Sequence, residues 1–226
     1  MKDLDSFDAP ADRSAPRGLD RSSDASADTG TPVILTVCTG NICRSPLAET
    51  LLHARLHGVD ATVHSAGTHA PVGAEMTGMS QEIAVAHGAS PDDVVTHRAR
   101  WLTEPIVAGA DLVLAMSREH RTASVELAPS ALRRAFTVRE FAALSTALDD
   151  DAIRRTADAA GTAPRARLAA VLALVAGRRG QMPPARAQDD DVIDPYRRDR
   201  AVYEESASQL IPAVDEVARV LRAALL

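Results

Sequence analysis

A cysteine and an arginine separated by five residues, Cys38-Thr39-Gly40-Asn41-Ile42-Cys43-Arg44, run directly into Ser45-Pro46. These types at this spacing suit covalent chemistry on an anion. A thiol becomes a strong nucleophile where positive charge and hydrogen-bond donors favour its ionised form. A guanidinium offers a planar fork matched to two phosphoryl oxygens, which an ammonium cannot reproduce. Gly40 and Asn41 tolerate left-handed backbone, so the loop can curl into a nest with its amides inward. Ser45 can donate its hydroxyl to the Cys38 sulfur and ease its departure in a second step. A buried strand cysteine beside an ordinary helix-start arginine would leave the spacing, the Gly-Asn bend and the Arg-Ser-Pro run unexplained.

Positioning such a loop takes a strand before it and a helix after it. Thr31–Cys38 reads as a strand buried on both faces. Ser45–His57 reads as a helix with Ser45 as N-cap and Pro46 at its first position. Cys38 then faces a helix N-terminus, where backbone donors converge and the macrodipole is positive. Further strands are expected at Ala61–Ala66, Asp111–Met116 and Phe136–Val138. Helices are expected near Ser80–His87, from Thr103-Glu104-Pro105, over Ser117–Leu127 and Arg139–Leu144, and from about Arg200 to Leu225. Pro212 should kink or split the last of these. The alternation predicts an α/β fold, a central parallel sheet with helices on both faces, and the anion loop between the first strand and first helix.

Residues 1–30, rich in Asp, Ser and Ala, read as a disordered tail, and 31–226 as one domain. Residues 145–190 interrupt the rhythm and read as an insertion. It holds an acidic patch at Asp149-Asp150-Asp151, a helix near Pro164–Ala176 with Leu168, Val171, Leu172 and Val175 on one face, and mobile flanks. Asp189, Asp190 and Asp191 read as a solvated charge run. At 226 residues and 46 % apolar content the chain can bury a full core, with few aromatics to fill it. A net charge of −6 argues against a nucleic-acid partner or a polybasic membrane patch. No apolar run is long enough to span a bilayer, and no hydrophobic leader opens the sequence. Two cysteines in one loop make no disulfide framework, so a reducing, cytoplasmic setting is expected. His64, His69, His87 and His97 match no metal spacing; His97 reads as surface helix-start chemistry, and Trp101 and Met116 as core.

The run from Val37 to Pro46 resembles the active-site loop of low-molecular-weight protein tyrosine phosphatases. Ser65-Ala66-Gly67-Thr68 is similar to that family's second-strand end, Asp111–Met116 to its third strand, and Asp194-Pro195-Tyr196 to the loop carrying its general acid. The landmarks come in family order over about 31–145 and 190–226. The resemblance implies catalysis by Cys38, Arg44 and Asp194 through a cysteinyl-phosphate, with no metal or cofactor. Thr39, Gly40, Asn41, Ile42, Cys43, Ser45 and Tyr196 would bind substrate. It also implies that Cys43 can pair reversibly with the nucleophile. Partners would be a phosphorylated protein or small phosphomonoester, and inorganic phosphate. The segment after Ser65-Ala66-Gly67-Thr68 lacks the aromatic usual in the family's phosphotyrosine slot, leaving Tyr196 as the expected aromatic wall. Two other readings stand beside this one: an arsenate reductase using an external small thiol, since no cysteine follows Cys43, and a non-catalytic phosphate-binding module.

Overall fold

The structure, a computed structural model, describes residues 30–181 and 186–226. The tail expected over 1–30 lies, apart from Gly30, outside the described residues. Four strands, β1 (Val33–Cys38), β2 (Thr62–Gly67), β3 (Leu112–Ala115) and β4 (Ala135–Thr137), pair in parallel in the order β2-β1-β3-β4. Between and after them come α1 (Arg44–Arg55), α2 (Gly78–Ala86), α3 (Pro91–Thr96), α4 (Glu104–Ala108), α5 (Arg118–Leu127), α6 (Val138–Ser145), α7 (Asp150–Ala159), α8 (Pro164–Ala176), the single turn α9 (Ala187–Asp190) and α10 (Arg200–Leu225).

The two-residue side-chain period of β1 divides the core. Ile34 and Cys38 face the larger cluster with Leu51, Phe136, Leu210 and Val217, under α1, α6, α7, α8 and α10. Leu35 and Val37 face a smaller cluster with Val107, Val113 and Ala131 on the other side. Burial on both faces is why β1 reads as a nearly unbroken apolar run. From β1 the chain crosses to β2 on one side and later to β3 on the other. Such a reversal leaves a crevice beyond the strands' carboxyl ends. Cys38 ends β1 at that crevice.

Several local expectations need correction. The N-cap of α1 lies two residues earlier than expected, at Cys43, with no side-chain cap bond. Ser45 is not the cap because its hydroxyl is used inside the loop. Pro46 falls on the third helical position, where a missing N–H costs nothing because the first turn's donors have no helical acceptors. Pro212 does not break α10, which runs unbroken through 26 residues with the proline on its exposed side. Helix α3 has no counterpart among the expected elements. The acidic patch Asp149-Asp150-Asp151 is a helix start: Asp149 caps α7 by accepting from the Ala152 amide at 2.6 Å, and the next two carboxylates sit in the positive first turn.

The segment 145–190 therefore supplies two helices. Leu168, Val171, Leu172 and Val175 of α8 are buried as expected, joined by Ile153 and Ala157 of α7, in the same cluster as α10. Arg219 of α10 anchors the start of α7 by bonding Asp150 and the Leu148 carbonyl. Because Leu168 is fully buried, Leu168→Ala should lower the unfolding free energy by about 2–5 kcal/mol in reversible denaturation. A loss under about 1 kcal/mol would show that α8 packs only peripherally.

Candidate active site

Asn41 shapes the loop. It takes φ of 53°, a left-handed conformation that asparagine bears better than most residues, whereas Gly40 does not use its freedom this way. The carbonyls of Cys38, Thr39 and Ile42 accept from the amides of Thr68, His69 and Thr77, and the Asn41 carbonyl accepts from His97 Nε2 at 2.8 Å. A trans peptide points its N–H opposite its C=O. With these four carbonyls turned outward, the amides of Thr39, Gly40, Ile42 and Cys43 turn inward, forming the expected nest. The loop packs so closely on Gly67 that a Cβ there would lie 2.5 Å from the Thr39 carbonyl oxygen. Glycine is required at that strand end by proximity.

At the bottom lies Cys38, 2 % exposed. Its sulfur accepts from the Asn41 amide at 3.2 Å and lies 3.0 Å from Ser45 Oγ. Asn41 Nδ2 donates to that same hydroxyl at 2.9 Å, which leaves the Ser45 proton free to point at sulfur. It also donates to Ser65 Oγ at 2.6 Å, and Ser65 in turn donates to Glu49. Burial alone would raise the Glu49 carboxyl. Hydrogen bonds from His97 and Ser65, with positive charge from His97 and His53, outweigh it and hold the group below the usual carboxylate range. His97 is thus no surface residue: its ring is almost fully buried and bridges the Asn41 carbonyl to Glu49.

Arg44 is 5 % exposed. Its Nη1 donates to the Val192 carbonyl at 2.9 Å, Nη2 meets Asp194 Oδ2 at 2.6 Å, and Nε is buried without an acceptor. The two groups expected to act on one substrate are therefore already in contact, Asp194 being about half exposed. A cavity of about 280 Å³ lies over the loop, walled by His69, Pro71, Asp194 and Tyr196. Of the ten site residues expected from sequence, eight line it; Asn41 and Ser45 lie buried behind the loop as its supports. Cys43 lines it too and is a free thiol, as is Cys38. Burial pushes the Cys43 thiol up, against lowering contacts from Thr77 and Tyr203.

Two residues near the site were not foreseen. His120, buried at the start of α5, bonds Thr39 Oγ1 through Nε2 at 2.8 Å and Ser117 Oγ through Nδ1 at 2.8 Å. Burial first, then the nearby Arg44 charge, pushes its ring down to about 4. The sequence signal was a Ser-x-x-His helix start directly after a buried strand. Trp101 is 48 % exposed, not core. It bridges Gly67 beyond the sheet edge and meets His69 edge-on with ring centroids 5.9 Å apart.

A family model described as low molecular weight phosphotyrosine protein phosphatase matches residues 33–153. The chain is 44 % identical over 96 residues to the low molecular weight protein-tyrosine-phosphatase Etp of Escherichia coli K12; the match covers 42 % of this chain and 62 % of that relative, less than two thirds of its length. It is 35 % identical over 116 residues to the protein-arginine-phosphatase of Bacillus subtilis 168, covering 48 % of this chain and 71 % of the relative. The structure is similar to that of a low molecular weight protein tyrosine phosphatase from T. tengcongensis, with 29 % identity and a TM-score of 0.57 over 82 % of this chain and 97 % of that one.

A ring pushed down to about 4 stays neutral through the physiological range, with one donor and one acceptor nitrogen for Thr39 and Ser117. The unfolded chain protonates the same histidine near 6.5 and binds the proton first as pH falls, so this residue's contribution to stability declines between about 6.5 and 4. NMR titration should place the His120 midpoint near 4. A midpoint at the ordinary histidine value would mean that the ring is not desolvated as described.

Proposed function

Because the chain belongs to the low molecular weight phosphotyrosine protein phosphatase family, we propose that it is a cysteine-dependent phosphatase that hydrolyses phosphotyrosine or a similar aryl phosphomonoester. One observation carries the reading. The Cys38 sulfur receives hydrogen bonds at the base of an amide-lined loop, and the Arg44–Asp194 pair closes the same cavity. Those contacts hold the sulfur at the centre of the loop, where it can attack a phosphorus seated on the amides.

In the first step Cys38 forms a bond to phosphorus as the bond to the leaving oxygen breaks, and Asp194 gives that oxygen its proton. The inward amides and Arg44 stabilise charge on the phosphoryl oxygens. The unpartnered Arg44 Nε is a donor ready for one of them. An arriving phosphoryl group competes with the Asp194 carboxylate for Arg44; the released carboxylate takes a proton from water and meets the leaving oxygen as the acid. In the second step water attacks the cysteinyl-phosphate, Asp194 takes its proton, and Ser45 stabilises the departing sulfur. Thr39, Gly40, Ile42 and Cys43 hold phosphate through backbone amides; Asn41 and Ser45 hold the loop.

Substrate class is argued from the walls. Ile42, Pro71 and Tyr196 present apolar surface around the sulfur, which suits an aromatic ring better than a charged guanidinium. The working unit proposed is residues 31–226, with 145–190 as an insertion, acting in the cytoplasm. Among the described residues no helix is long and apolar enough to cross a membrane.

Cys38→Ser should abolish turnover of an aryl phosphate while the protein still binds inorganic phosphate. Wild-type turnover in that variant would remove Cys38 as nucleophile. Asp194→Asn should lower kcat by about a hundredfold or more, the usual worth of a positioned acid. An unchanged kcat across a pH series would place the acid elsewhere.

A further inference from the structure

A second, larger cleft, of about 720 Å³, opens at the other end of the sheet. Asp111, on its wall, accepts from the Val33 amide at the start of β1, whereas Cys38 ends that strand. Six residues of β1 put roughly 17 Å between the two sites. One side comes from the chain around β3 and β4. The other is α8, outside the residues matched by the family model.

Four guanidinium groups, from Arg133, Arg134, Arg165 and Arg179, line this cleft with one carboxylate, Asp111, in a chain of net charge −6. Arg134 is pinned by the carbonyls of Ala108, Ala110 and Ser130, with no carboxylate to neutralise it. Arg165 is ion-paired with Asp111, whose Oδ2 lies 3.2 Å from its Nε, yet that buried Nε makes no hydrogen bond, and the same carboxylate oxygen takes the Val33 amide. Arg133 is exposed, with no ion pair or hydrogen bond among the described residues. Arg179 is satisfied by Glu140 and the Phe136 ring. Two of the four, Arg133 and Arg134, have no carboxylate partner among the described residues, and like charges gathered around a concave surface are favoured by an anion that balances them. The floor is different in kind. Ala169, Leu172 and Ala173 of α8 form a shallow apolar surface that a flat ring can cover. A volume of this size falls within the range of about 300–1,000 Å³ typical of small-molecule sites.

We propose that this cleft is a second, non-catalytic binding site for an organic polyphosphate with a flat apolar body, of the nucleoside diphosphate class. The phosphates sit on the Arg133 and Arg165 side, and the base lies on α8. The site is independent of the catalytic loop and does not rest on the phosphatase reading.

Isothermal titration of the full chain with ADP, pyrophosphate and adenosine tests it. ADP should bind the wild type and an Arg44→Met variant alike, because the loop takes no part. Arg133→Glu, and separately Arg165→Gln, should weaken ADP about tenfold or more, the scale of one lost charge-assisted contact. Arg133→Glu should leave aryl phosphate turnover unchanged; its exposed position makes loss of folding no explanation for lost binding. Titrated into the Arg44→Met variant, so that the catalytic loop takes no share, pyrophosphate and adenosine should each bind more weakly than ADP. The proposal fails if ADP does not bind at millimolar concentration, or if Arg44→Met abolishes binding. It also fails if both cleft variants bind as wild type, or if pyrophosphate binds as tightly as ADP, which would leave the apolar floor without a role.

Discussion

The left-handed turn at Asn41 is the constraint on which the site depends. One side chain holds Ser45 and Ser65 and accepts the Arg100 amide, its backbone amide meets the Cys38 sulfur, and its carbonyl is held by His97. Each bond is modest by itself. Together they keep the peptide planes turned so that donors face a common centre. The turn is bearable for asparagine, and it fits only because β2 ends in a residue without a Cβ beneath it.

Around that turn polarity is arranged in two layers. Asn41, Ser65, Glu49 and His97 form a buried network whose anionic end lies behind the loop, so positive charge and free donors remain on the cavity side. His120 acts from the opposite flank through Thr39, neutral because burial and Arg44 disfavour its charged form. Buried polar groups of this kind are tolerated only when satisfied. The unsatisfied Arg44 Nε at the cavity stands out against that background.

The sheet separates two clefts. Parallel strands deliver their carboxyl ends to the crevice where Cys38 lies. Their amino ends, covered from one side by α8, carry the arginine-lined cleft. The packing of α7 and α8 on α10 builds a wall there in addition to filling the core.

The strand, loop and helix around Cys38 were legible in the sequence because the cues are local: a β-branched run, a Gly-Asn bend and an Arg-Ser-Pro start lie within a dozen or so residues. The same holds for most strands and for the buried face of α8, whose helical period is written in its own residues. Local cues also misled. Ser45 has the chemistry of a cap, but a sulfur seven residues earlier claims its hydroxyl. Asp149, Asp150 and Asp151 showed only as an acidic patch and not as a helix start, because the apolar face of α7 is thin, only Ile153 and Ala157 being buried. The roles of His97, His120 and Trp101, the Arg44–Asp194 contact across 150 positions and the gathering of four arginines were decided by tertiary structure alone. Each depends on which strands become neighbours, and hydrophobic burial selects that arrangement through contacts among residues far apart in the chain.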